Sequence, residues 1–113
     1  MIFALATDDR GLMVFPDPAS AIDYCEGIDV EDGGWLFWGE QGEALDAVFS
    51  RPSERGRSWI RSGAYSLHPS ANGKGLLESI DLVGYLVHNP HFASLDEVVA
   101  HLARCGKDKQ YPA

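Results

Sequence analysis

The tetrapeptide Trp35-Leu36-Phe37-Trp38, closed by Gly34 and Gly39, is apolar at every position. Successive side chains of a strand point to opposite faces, so a strand built from it has no side suited to water. It predicts a central strand covered on both faces, and the rest of the chain must supply the cover. With 113 residues, 45% apolar and 11% aromatic, the chain has material for one packed domain. That composition excludes global disorder.

The neighbouring segments predict an α+β domain. Ile2 to Ala6 and Leu12 to Phe15 are short apolar runs joined by Thr7-Asp8-Asp9-Arg10-Gly11, which has the composition of a hairpin turn. Asp17-Pro18 is a helix-start signal, an N-cap carboxylate followed by proline at the first helical position. That helix is expected to reach about Glu26, with Gly27 as its stop and Asp29 to Gly34 as a polar turn. Ala44 to Ser50 alternates, with Leu45, Ala47 and Phe49 on one face and Asp46 and Ser50 on the other. Arg51 to Gly56 is read as a loop. Ser58 to His68 is read as a strand bent at Gly63 that presents Trp59, Tyr65 and Leu67 together, and His68 to Gly75 as a loop. Leu76, Ile80, Val83 and Val87 have helical spacing, and Asn89-Pro90 ends that stripe. Ser94 and Glu97 form a capping box ahead of a second stripe, Leu95, Val98, Val99 and Leu102. The sum is a single domain over 1–105, an antiparallel sheet of about five strands with about three helices packed on it, and a polar C-terminal tail over 106–113.

Charge divides the chain. Residues 1–50 hold eleven acids against Arg10 alone, a net −10, while residues 51–113 carry +2. A field of one sign attracts partners of the opposite sign, and phosphate binding needs clustered lysine and arginine. Nucleic acid is therefore excluded as a partner of the first half, and a basic protein matches it. Arg51, Arg55, Arg57 and Arg61 follow at once. That cluster is open to two readings: contact with phosphate, or neutralisation of the acidic half across the fold. No run approaches the roughly 18 apolar residues of a membrane span. Met1 to Ala6 lacks the basic flank and length of a signal peptide. Cys25 and Cys105 are too few for a disulfide framework, though one bridge between them stays open. A soluble, cytoplasmic domain is expected.

The residues offer little to catalysis. Asp29 to Glu40 has acids at calcium-loop positions one, three and twelve and glycine at six. Position five is Gly33, and Trp35 to Trp38 would have to leave their strand. His88 and His91 have metal-like spacing, but Pro90 denies them a shared helical face. A site of His88, His91 and Cys105 requires tertiary contact. Asp23 and Glu26 flank Cys25 and oppose its thiolate. There is no nucleophile-elbow serine and no phosphate-binding glycine loop. No metal and no cofactor is expected, and the chain is read as not an enzyme.

What stands out is Tyr24 to Trp38, where acids sit among large aromatics. Acids speed and orient encounter with a basic protein, and desolvated aromatics anchor it. Residues 36 and 38 share one strand face and 35 and 37 the other, so at most one tryptophan of this strand need be in the core.

The order strand, Phe15-Pro16, helix ending Tyr24-Cys25-Glu26-Gly27-Ile28-Asp29, then Asp32-Gly33-Gly34-Trp35-Leu36-Phe37, resembles small bacterial immunity proteins of polymorphic or contact-dependent growth-inhibition toxin systems. The resemblance spans most of residues 1–100, and its specific part is about 22–38. It implies a cytoplasmic, non-enzymatic inhibitor that binds the C-terminal domain of a cognate toxin one-to-one, often over its active site. Nuclease toxins are basic, which agrees with the acidic half. The candidate contacts are Glu26, Asp29, Glu31, Asp32, Trp35, Trp38, Glu40, Glu43 and Asp46, with no contact to nucleic acid or membrane. The alternatives are a small hydrolytic or metabolic enzyme that sets a histidine in an acidic cleft, and an adaptor in a larger assembly.

Overall fold

The hairpin read between Ile2 and Phe15 forms the middle of the molecule. A computed structural model describes residues 1–110, with side chains through Gly106. β1 (Ile2–Ala6) pairs antiparallel with β2 (Gly11–Phe15) on one edge and with β3 (Trp35–Gly39) on the other. β4 (Ala44–Arg51) follows β3 across a tight turn. β5 (Glu54–Arg55) and β6 (Ile60–Arg61) form a separate two-stranded ladder. β7 (Ala64–Pro69) returns along β4, and β8 (Tyr85–Leu86) lies parallel to β2. The large sheet has six strands in the order β7-β4-β3-β1-β2-β8. It is mixed, where an all-antiparallel sheet of about five strands was expected.

Helical segments cover both faces. On one side α1 (Pro18–Tyr24) sets Ala21, with Cys25 at its C-cap, against Ile2, Ala4, Phe15 and Phe37. The Asp17 carboxylate accepts the Ser20 N–H at 2.8 Å, the cap that the Asp-Pro pair predicts. On the other side the cover is a 3-10 helix (Leu77–Leu82) and a long C-terminal helix. α3 (Leu95–Gln110) brings Val98 and Leu102 to Phe3, Leu5, Leu12 and Trp38. Its start is closed by Ser94 Oγ, which accepts the Glu97 N–H. α2 (Gly27–Glu31), by contrast, lies on the α1 side, a short helix where a stop and a turn were expected. No helix among the described residues is long and apolar enough to cross a membrane.

Three further expectations need correction. The stripe from Leu76 to Val87 is not one helix. The Arg10 guanidinium takes the carbonyls of Asp81 and Leu82 at 2.6 and 2.8 Å, which closes the 3-10 helix. Gly84 then donates to the Arg10 carbonyl at 2.8 Å and Val87 to that of Leu12 at 2.9 Å, so the chain becomes β8. Tertiary hydrogen bonds to the first hairpin outweigh local periodicity here. Trp59 does not share a face with Tyr65 and Leu67 in the core; it is exposed beside β6, because the chain breaks at Ser62-Gly63. α3 also runs through Gly106 to Gln110, where a polar tail was expected, while 111–113 lie outside the described residues.

Gly27 and Gly63 are packed backbone to backbone, and a Cβ on Gly27 would overlap the Gly63 carbonyl oxygen. Gly106 has open space around it. Gly27→Ala should therefore destabilise by about 1–3 kcal/mol, the range for overpacking. Gly106→Ala should stabilise by about 0.5–1 kcal/mol through helix propensity. Urea denaturation of both variants checks the signs.

Candidate protein-binding surface

The end of the sheet where β3 begins gathers acids and aromatics from four segments. α1 ends at Tyr24, which is 58% exposed. Its ring packs on Phe15 at 5.6 Å between centroids and meets Trp35 edge-on at 6.1 Å. Trp35 itself is half-buried at the start of β3, against the α1-side core. Glu26, the N-cap of α2, and Asp29 on it are exposed. Glu31 ends α2 and accepts the Ser53 N–H at 3.0 Å, and Asp32 is its C-cap.

Asp8 joins this group. The Ala6↔Trp35 pairing brings the β1–β2 turn alongside β3. Thr7 fixes it there, its N–H donating to the Gly34 carbonyl at 3.0 Å and its hydroxyl to that of Gly33 at 2.8 Å. Asp8, Asp29, Asp32 and Trp35 then line a cavity of about 280 Å³. Sequence reasoning left Asp8 in a hairpin turn. The signal that could have placed it is the antiparallel pairing of β1 with β3, which is long-range and carries no local mark.

The arginine cluster reaches the same end. Arg55 on β5 donates to Asp32 Oδ2 at 2.7 Å, with both side chains more than half exposed. Exposed pairs of this kind contribute up to about 1 kcal/mol, so the contact orients the β5–β6 ladder more than it stabilises the fold. It agrees with the neutralising reading of the cluster for Arg55. Arg51 donates to the Ser62 carbonyl at 3.3 Å.

The other four candidates stand elsewhere. Trp38 is 4% exposed. Period two turns it into the α3-side core, and its indole N–H donates to the Lys74 carbonyl at 3.0 Å. It is a core residue and drops out of the contact set. Glu40 lies at the far end of β3, 3.7 Å from the N-terminal ammonium, and its carbonyl meets His101 Nε2 at 2.7 Å. Glu43 is half-buried in the β3–β4 turn. Asp46 is exposed on β4, opposite His68 on β7. The nine residues thus fall in four places, and only Glu26, Asp29, Glu31, Asp32 and Trp35 come together.

Asp9, Tyr85 and Asp17 serve the fold. Asp9 is held below the usual carboxylate range by the Gly11 N–H and then by the Tyr85 hydroxyl, and Tyr85 is raised in return. Asp17 is lowered by its cap hydrogen bond to Ser20. Asn89 Oδ1 accepts the N–H groups of His91 and Phe92, which shapes the loop that carries His88 and His91. The described residues include no group of three His, Cys, Asp or Glu placed to hold a metal ion.

Cys25 and Cys105 are both free thiols. Burial, and secondarily Asp29, pushes the Cys25 thiol up to about 12, which opposes its use as a nucleophile. The hydroxyl of buried Tyr65 donates to the Cys25 carbonyl and is itself raised by burial. Cys105 is half-buried on α3, 3.7 Å from His101 Nε2. A thiol reagent should therefore label Cys105 first and Cys25 at the rate of unfolding. Because the folded pKa of Cys25 is raised, its contribution to stability is complete below the unfolded value of about 8.5 and is lost as pH rises toward 12. That slope is about 1.4 kcal/mol per pH unit. Cys25→Ala should remove it, and urea titrations between pH 8 and 11 measure the difference.

Neither a protein-family model, nor a curated protein, nor a solved structure matches this chain.

Proposed function

We propose that this chain is an immunity protein that binds and neutralises the C-terminal domain of a cognate bacterial toxin, a basic nuclease, by covering its active or nucleic-acid-binding site. The observation that carries the reading is the clustering of Asp8, Glu26, Asp29, Glu31 and Asp32 around exposed Tyr24 and half-buried Trp35, at one end of the sheet. The sequence resemblance over about 22–38 falls on the same segment.

The division of labour follows from physical chemistry. Unpaired acids at a surface raise the encounter rate with a basic partner and set its orientation. Tyrosine and tryptophan supply rigid apolar area with a polar edge, the composition of interface hot spots. A nuclease must present cations to the phosphate backbone, and carboxylates seated on those cations exclude the substrate without any turnover. A standard interface takes about 800 Å² from each partner. The chain offers 7083 Å² in all, so such an interface fits one end of the molecule.

The first experiment is growth rescue and pull-down against the C-terminal domain encoded by the neighbouring toxin gene. Rescue with a stable one-to-one complex is expected. Absence of both, or substrate turnover by the isolated chain, overturns the reading. Asp29→Asn, Glu31→Gln and Asp32→Asn together should slow association by about tenfold at low salt and flatten its salt dependence. Glu40→Gln with Glu43→Gln, at the far end of β3, should leave the rate within twofold. Stopped-flow association at several salt concentrations distinguishes the two sets.

A further inference from the structure

β3 and β4 are neighbours in the sheet, yet they pair only at Phe37–Leu45 and Trp38–Ala44. Beyond those two pairs the strands part. β4 continues to Arg51 with β7 on its other edge, while β3 continues back to Trp35 with β1 on its other edge. The gap is an open cleft of about 740 Å³, within the size range of ligand pockets. Trp35, Leu36, Ala47, Val48 and Phe49 are among its wall residues, and Leu36 and Val48 are among the exposed large hydrophobic side chains of the molecule.

The direction of the backbone groups can be read from two hydrogen bonds. Gly39 N–H donates to the Glu43 carbonyl and Ser70 N–H to the Ala44 carbonyl, both at 2.9 Å. Alternate residues of an antiparallel strand turn their N–H and C=O to opposite edges. Leu45, Ala47 and Phe49 therefore face β3, and Asp46 and Val48 face β7. Leu45 is matched by Phe37, but on this edge Ala47 and Phe49 are matched by no strand among the described residues, their partners Leu67 and Tyr65 lying on β7 across the other edge. Across the cleft Trp35 turns its backbone groups the same way as Phe37, toward β4. All three residues are half-buried, where unpaired backbone polar groups carry a free-energy cost.

The cleft therefore has the two properties of a strand-addition site, a free ladder edge and apolar side-chain walls. Its charged wall residues are Glu31 and Asp46, and among the described residues no lysine or arginine lines it. A second copy of this chain would bring Asp46 and its acidic surroundings against their like, which is unfavourable. An extended segment with alternating apolar and basic residues satisfies both walls: apolar side chains toward Val30, Trp35 and Phe49, basic ones toward Asp46. We infer that this cleft receives such a segment of the protein partner as an added strand on the β4 edge, an inference that rests on reading the chain as a binder of a basic protein.

The test uses the full chain and a nonapeptide of alternating valine and lysine, with a counterpart N-methylated at its central amides. Affinity is measured by titration, and amide exchange is followed at Ala47 and Phe49. Binding of the parent peptide, at least tenfold slower exchange at both amides, and at least tenfold weaker binding of the N-methylated peptide are expected. Asp46→Lys, a surface change, should weaken the parent peptide by a similar factor. Equal binding of the two peptides, protection confined to other residues, or no binding overturns the inference. So does concentration-dependent protection without peptide, which would make the occupant a second copy. A cognate toxin domain that binds and rescues growth while Ala47 and Phe49 exchange freely overturns strand addition and leaves the immunity reading standing. Peptide entry with the expected protection, when no neighbouring toxin domain binds, supports the cleft and removes the immunity reading alone.

Discussion

Everything in this molecule is arranged around β1. Its two edges are occupied by β2 and β3 and its two faces by opposite cores, so Ile2 and Ala4 point one way and Phe3 and Leu5 the other, all buried. A strand saturated in all four directions has no tolerance for a shift in register, because a slip of one residue exchanges its faces. The Ala6↔Trp35 pairing at its end sets where the β1–β2 turn meets the start of β3. Asp8, Asp29, Asp32 and Trp35 are neighbours for that reason. The aromatic contact of Phe3 with Phe92, at 5.8 Å between centroids, ties the same strand to the segment before α3.

Much of this was legible from local patterns. Asp17-Pro18 marked α1, alternation marked the faces of β4, and Ser94 with Glu97 marked the start of α3. Each signal is written within a few residues. The segments that misled are those decided by distant partners. Leu76 to Val87 has helical spacing, but Arg10 and Leu12 capture it as a 3-10 helix and a strand. Gly27 has the composition of a stop, but it is where α2 passes beneath Gly63. Trp38 looked like a candidate anchor among acids, and strand parity gave it even odds of being buried. Its partner Leu36, on the same face, is 40% exposed because the 3-10 side of the cover does not extend over the whole of β3. The expectation of a fully covered central strand therefore holds for Phe37 and Trp38 and fails at Leu36.

The acidic half also reads differently in three dimensions. Along the chain it is one continuous run of negative charge, and in space its candidate contact acids divide between the two ends of β3 and the exposed face of β4, while Asp9, Asp17 and Asp23 lie on the first hairpin and α1. The arginines that follow it are not dispersed over the acids either. Arg55 meets Asp32, and Arg51 serves its own loop. The surface that results carries its charge contrast at short range, with Glu26 and Asp29 left exposed beside one neutralised pair. Specific recognition depends on such local contrasts more than on total charge.

The two covers of the sheet come from different times in synthesis. α1 follows β2 directly, whereas Leu76, Val83, Val98 and Leu102 are translated after all the strands they cover except β8. At about 5–20 residues per second, the face formed by Phe3, Leu5, Leu12 and Trp38 is exposed on the nascent chain for seconds before its cover exists. When Leu76 is added, residues 1–75 hold twelve acids against six bases, a net −6. Like charge of that size sets incomplete chains against one another during the interval in which the sheet has one face covered and the other open.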